Sequence, residues 1–188
     1  FTGGVVDLAG NFLNTNSFSF TTSFAPDTVG PQVTGIAPAN GLSTVPTNAS
    51  VMVQFDEPVQ LRSADQVTLS AGGINVSINS SLSNGNRTLI LKPVTLLAGV
   101  TTYNLSISGV RDLSGNTLTA PVNSSFTTAA GVDLLIPTVT QGDPASGATG
   151  VPTNAVVKLQ FSERINPLTV TDSTFFVSNS NTGIRVKG

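Results

Sequence analysis

Few side chains in this sequence have the means to do chemistry, and most of them are acidic. An Asp-x-x-Gly-Asn run occurs twice, at Asp7–Asn11 and Asp112–Asn116, and an Asp stands four residues ahead of a Pro twice, at Asp27 and Asp133. Carboxylate and amide oxygens are hard ligands, so the chemistry to consider is Ca²⁺ binding. The spacing is not that of an EF-hand loop, which needs more carboxylates and a distal Glu. The same run also reads as a hairpin turn: Asp bonds its own backbone two residues on, and Gly and Asn supply left-handed positions. In a β-sandwich whose last hairpin lies at the end where the chain enters, Asp27 and Asp112 approach each other. Asp27, Asp112, Asn116 and Asp133 are therefore the candidate calcium residues, placed at junctions between units. No other cofactor is expected.

Catalytic readings find less support. Glu57 and Glu163 each follow a core Phe by two residues, but they belong to different repeats and cannot flank one glycosidic bond. Each is expected to accept backbone N–H bonds at a strand end. The chain has no His and no Cys, which removes the commonest general base, thiol catalysis, disulfides and thiolate metal sites. A serine nucleophile would need Lys as its base, and Lys92, Lys158 and Lys187 stand in no Ser-x-x-Lys arrangement. No catalytic or cofactor-binding residue is expected, and the chain does not read as an enzyme. Tyr103, the only Tyr, is placed for a buried hydroxyl bonded to nearby backbone. With no Trp, the usual sugar-stacking platform is missing. Asn-x-Ser/Thr sequons occur at Asn48, Asn75, Asn79, Asn86, Asn104 and Asn123, as arises readily by chance in a chain this rich in Asn, Ser and Thr.

Composition points the same way. Charged residues make up 10% and hydrophobic residues 39% of 188 residues, enough apolar matter for a core. The surface must be wetted by hydroxyls and amides. A net charge of −2 with 8 Lys and Arg gives no footprint for nucleic acid. No window approaches the roughly 18 apolar residues of a membrane helix. Nothing near Phe1 resembles a signal peptide, so any export signal is expected upstream.

The elements that position these residues come from a tandem repeat. Asp27–Phe55 aligns without gaps on Asp133–Phe161, an offset of 133 − 27 = 106, with 15 of 29 positions identical. Gly4–Asn11 aligns on Gly109–Asn116 with six of eight identical, and Phe20-Thr21-Thr22 on Phe126-Thr127-Thr128. Within the unit, Val51, Val53 and Phe55 alternate with Met52 and Gln54, and Val157, Leu159 and Phe161 with Lys158 and Gln160. Thr101–Ser108 alternates likewise, with Tyr103, Leu105 and Ile107 inward. Strict alternation predicts half-buried antiparallel strands. Further strands are expected at Thr88–Lys92, Gln66–Ser70, Ile74–Ile78 and Asn123–Thr128, with Val33 buried near the entry. Single helical turns are expected near Leu61–Asp65 and Asn166–Val170. About seven short strands punctuated by Gly, Pro and Asn predict an all-β, immunoglobulin-like antiparallel β-sandwich repeating every 105 residues or so.

The combined motifs resemble bacterial Ig-like domains of the S-layer type, often labelled SbsA-like. The shared frame stands here as Asp27, Pro31, Pro38, Gly41, Val45-Pro46-Thr47-Asn48, Phe55-Asp56-Glu57-Pro58-Val59, Val110–Asn116 and Phe126-Thr127-Thr128. The second copy keeps Phe161-Ser162-Glu163 but has Arg164-Ile165 for Pro-Val. The resemblance implies a non-catalytic structural repeat of an exported bacterial protein, extracellular or at the cell surface. The alternatives are an adhesin-type binding module and an accessory domain of a secreted hydrolase. Partners would be neighbouring repeats of the same chain, or a surface glycan or protein ligand, with no nucleic acid and no membrane insertion. The expected division is 1–26, the closing strands of one repeat; 27–131, a complete sandwich; and 132–188, the opening part of another. On that reading the sequence is a piece of a longer array.

Overall fold

The structure is a computed structural model that describes residues 4–14, 17–22, 25–60 and 67–186. Nine strands lie between Val33 and Thr128: β1 Val33–Ala37, β2 Leu42–Val45, β3 Val51–Phe55, β4 Val67–Ala71, β5 Ile74–Asn75, β6 Ile78–Ser83, β7 Thr88–Pro93, β8 Thr102–Ile107 and β9 Val122–Thr128. They form two sheets, ordered β1-β3-β7-β6 and β2-β9-β8-β4-β5. Pairing is antiparallel throughout except for β2 on β9, which is parallel. Alternation sets the facing. Val51, Val53, Phe55, Leu89 and Leu91 from the first sheet meet Val67, Leu69, Tyr103, Leu105, Ile107 and Phe126 from the second in one buried cluster. Burying each such side chain stabilises by about 1.5–3 kcal/mol, so this cluster drives closure of the sandwich.

Three expectations are corrected. The sheets contain nine strands rather than seven, because β2 and β6 are rich in Ser and Thr and show no apolar alternation. Ile74–Ile78 is not one strand. Ile74–Asn75 pairs with β4, the Val76 N–H bonds the Leu69 oxygen, and the chain then crosses so that Ile78 opens β6 against β7. Val33 is only partly buried, beside a register shift in β1.

After Thr128 the repeat begins again. β10 Val139–Asp143 pairs antiparallel with β11 Lys158–Phe161 and carries the same register shift as β1 on β3. The hydrogen bonds recur in register: Thr34 Oγ1 and Thr140 Oγ1 donate to the oxygens of Gln54 and Gln160, each at 3.2 Å. The second copy has no core of its own among the described residues, since no further sheet covers this ladder. Val157 and Leu159, expected inward, are 40% and 38% exposed. A single 3-10 turn follows at Pro167–Thr169, where Asn166 Oδ1 accepts from the Leu168 N–H, matching the turn expected near Asn166–Val170. The turn expected near Leu61–Asp65 lies outside the described residues.

The hairpin of residues 111–117 has a twin near the start of the chain. Arg111 bridges Thr117 as Val6 bridges Phe12, and Leu118 N–H bonds Val110 oxygen as Leu13 N–H bonds Val5 oxygen, each at 2.8 Å. The first hairpin leaves Phe12, Phe18 and Phe20 exposed. Among the described residues no helix is long and apolar enough to cross a membrane.

Candidate functional site

Close backbone approach builds the site at the entry pole. A Cβ on Gly30 would lie 2.1 Å from the Thr117 oxygen, so only glycine lets the entering chain lie against the 111–117 hairpin. The turn of that hairpin uses Gly115 in the left-handed region, at φ 94°. Asn116 contributes through its side chain instead. Its Nδ2 donates to Asp112 Oδ2 at 2.7 Å and to the Asp27 oxygen at 3.1 Å, while its N–H donates to Asp112 Oδ1 at 2.8 Å. Asp112 is 1% exposed, and its backbone oxygen accepts from Gln60 Nε2 at 2.7 Å. In the twin turn Asp7 Oδ1 accepts from the N–H groups of Ala9 and Asn11, both at 2.9 Å. The Asp-x-x-Gly-Asn run is thus a hairpin turn in both copies.

Glu57 completes an acidic cluster. One carboxylate oxygen each from Asp27, Glu57 and Asp112 lie within 4.8 Å of one another. The backbone role expected of Glu57 falls to its neighbour: Asp56 Oδ1 accepts the Gln32 N–H at 2.8 Å, as Ser162 Oγ accepts the Thr138 N–H at 2.9 Å one repeat on. Burial, then the charges of Asp27, Asp112 and Asp56, push the Glu57 carboxyl above the usual carboxylate range, against a smaller pull from Arg87. Burial also pushes Asp112 up, but bonds from the Asn116 side chain and from the N–H groups of Asn116, Gly115 and Ser114 outweigh it and hold Asp112 low. Such a cluster can share a proton or receive a hard cation. Glu57 was readable as an acid at a strand end, but its meeting with Asp27 and Asp112 depends on which pole of the sandwich each loop reaches.

Asp133, the fourth candidate, lies apart from this cluster at the opposite pole. There it faces Glu163, whose carboxyl is raised by burial and then by the neighbouring Asp133 carboxylate. Glu163 Oε1 is buried without a hydrogen-bond partner. The pair repeats Asp27 and Glu57 at the same offset, and it borders a cleft of about 620 Å³ that also takes in Ala37, Leu42, Pro46, Ile165 and Pro167.

The remaining sequence candidates are structural or exposed. Tyr103 is buried, stacks on Phe126 at 5.7 Å and accepts the Ala98 N–H at 2.8 Å, the corner arrangement expected of it. Lys92 and Lys158 are exposed on β7 and β11, and Lys187 lies outside the described residues. The sequon residues Asn48, Asn75, Asn79, Asn86, Asn104 and Asn123 are all exposed.

Comparison with known proteins follows the repeat. A family model described as a bacterial Ig-like domain matches residues 27–128 and again 135–188. An S-layer protein of Geobacillus stearothermophilus is 26% identical over 194 residues, covering 94% of this chain and 15% of that protein. Solved structures similar to the chain include domains 1–6 of the surface layer protein SbsC, at 20% identity, 60% of this chain, 15% of that one and a TM-score of 0.43. An L,D-transpeptidase from Mycobacterium smegmatis is similar at 20% identity, over 53% of this chain and 40% of that one, with a TM-score of 0.40. The chain therefore belongs to the bacterial Ig-like domain family, as two successive copies of the S-layer type.

Proposed function

We propose that this chain is a non-catalytic structural spacer, a run of repeats from an exported bacterial protein of the cell surface or an S-layer. The observation that carries the reading is what the recurring polar residues do. Asp27 Oδ1 accepts the Val29 N–H at 3.1 Å and Asp133 Oδ1 the Leu135 N–H at 2.9 Å. Asp56 and Ser162 tie the start of β1 and of β10, and Asp7 and Asp112 close hairpins. The recurring Asp residues are thus engaged in holding the backbone of each unit. The match to an S-layer protein supports a place outside the cell. In this reading the units are 1–26, 27–131 and 132–188, and each unit's partners are the adjoining repeats.

The test is in-frame removal of residues 27–131 from the parent protein, followed by labelling of intact cells. A spacer leaves surface display and any binding intact while shortening the protein's reach. Loss of adhesion to a glycan or protein ligand would replace this reading with the adhesive one, and loss of a hydrolytic activity with the accessory-domain one.

A further inference from the structure

We propose that Asn48 is a clamp that fixes one repeat to the next, and that Asn154 presents the same seat to the entry strand of a further repeat of this kind. The carboxamide of Asn48 grips a single residue of the following unit from both sides: Nδ2 donates to the Asp133 oxygen at 2.7 Å and Oδ1 accepts the Asp133 N–H at 3.1 Å. A primary amide offers a donor and an acceptor in one plane, so it satisfies the N–H and C=O of an extended residue as a neighbouring strand would. A carboxylate at this position could accept but not donate.

The clamp stands on a braced turn. Ala49 N–H bonds the Pro46 oxygen, and Thr47 bonds the Gly131 oxygen at 3.0 Å through its N–H and the Leu97 N–H at 2.9 Å through its oxygen. The Ala129 N–H bonds the Val45 oxygen at 2.7 Å. Ala129, Gly131 and Asp133 are all tied to the 45–48 turn, which leaves no slack segment between the units. A second contact, away from the first, sets the angle. Leu168 lies over Gly35 so closely that a Cβ there would be 2.7 Å from Leu168 Cδ2, and Asn166 Nδ2 approaches Met52 Sδ at 3.0 Å. Two separated contacts define an orientation where a single flexible linker would not. Relative domain motion is the default for small interfaces, so a joint of this kind needs such contacts to be stiff.

The turn is copied one unit on. Val151-Pro152-Thr153-Asn154 repeats Val45-Pro46-Thr47-Asn48, and the Ala155 N–H bonds the Pro152 oxygen at 3.0 Å as Ala49 does Pro46. Asn154 is exposed. Its occupant is the backbone of the entry Asp of another repeat, the position that Asp27 and Asp133 hold in their own units. The inference goes beyond the spacer reading, because a fixed joint would serve an adhesive array equally well.

The chain has no Cys, so spin labels can be placed on exposed Ser80 and Thr149, one in each unit. Pulsed electron resonance on the full chain, diluted with unlabelled chain, then reads the width of the distance distribution across the joint. A single narrow distribution is expected, broadened about twofold by Asn48→Ala as the units regain the usual domain freedom. Asn48→Asp, which keeps only the acceptor, should fall between. Asn154→Ala should leave this joint unchanged. Tyr103 fluorescence confirms that the labelled sandwich stays folded in each variant. The seat at Asn154 is read in an extended chain. The hairpin pairs Ser70–Asn75 and Ser178–Arg185 differ by offsets of 178 − 70 = 108 and 185 − 75 = 110, so residues 79–188 appended after residue 188 continue the repeat in register. Labels across the new joint should then broaden with Asn154→Ala. A native distribution already broad, an unchanged width in Asn48→Ala, or broadening of the first joint by Asn154→Ala would overturn the clamp. An unchanged new joint in Asn154→Ala would overturn the copied seat.

Discussion

Glu57 and Asp112 are brought together at the entry pole with opposite consequences for their protons: burial and neighbouring charge push Glu57 up, while hydrogen bonds hold Asp112 down. Because Glu57 titrates higher folded than unfolded, its contribution to stability is present in full below the ordinary carboxylate range and is lost as pH rises through its raised value. Glu57→Gln, measured by thermal melts in EDTA, is expected to raise the midpoint at pH 7 and to change it little in acid. A lowered midpoint at pH 7 would contradict the repulsion. A gain that turns into a loss when Ca²⁺ is added would assign the three carboxylates to a cation.

Asp112 runs the other way. Its folded pKa is lowered, so its stabilising effect is present above the ordinary Asp range and is lost as pH falls through the depressed value. Asp112→Ala removes a buried acceptor of charge-assisted bonds and should cost about 1.5–3 kcal/mol in urea melts at pH 7. The deficit should shrink toward acid. A deficit that grows as pH falls would contradict the assigned direction.

Phe55 is fully buried between the sheets, in contact with a cluster drawn from both. Phe55→Ala should cost about 3–5 kcal/mol, the range for emptying an aromatic core site. A loss below about 1 kcal/mol would mean that β3 faces the other way.

Outside the sandwich many large apolar residues are exposed. Phe18 and Phe20 are 78% and 79% exposed, and Phe175 and Phe176 are also exposed. The first pair lies on the segment that matches the closing strands of a unit, the second on a unit whose ladder has no covering sheet among the described residues. Strand-for-strand completion between two molecules would bury both. Sedimentation velocity should show the 188-residue chain self-associating where residues 27–131 alone remain monomeric. A monomeric full chain with terminal amides as protected from exchange as the central ones would contradict this.

The sequence made the core faces plain, because Val51, Val53 and Phe55, and Tyr103, Leu105 and Ile107, alternate without exception. The strands it hid are those whose side chains say little: Ile78–Ser83 is mostly Ser and Asn, and Leu42–Val45 pairs parallel through backbone at a sheet edge. The approach of Asp27 to Asp112 was readable from the repeat frame. Glu57 joining them was not, since that depends on the approach of three loops at one pole. Asn48 looked like a chance sequon, and nothing local marks an amide that holds the backbone of another unit.

Residues 27–131 are proposed to be one self-standing repeat, and unfolding of that segment alone tests this. With no Trp and one Tyr, fluorescence reports only Tyr103, at its stack on Phe126 in the core, while far-ultraviolet circular dichroism reports all the strands. A single sandwich unfolds all-or-none, so the two urea transitions should coincide in midpoint and slope. Separate midpoints, or a gradual loss of signal without a transition, would contradict the claim that this segment is a complete unit.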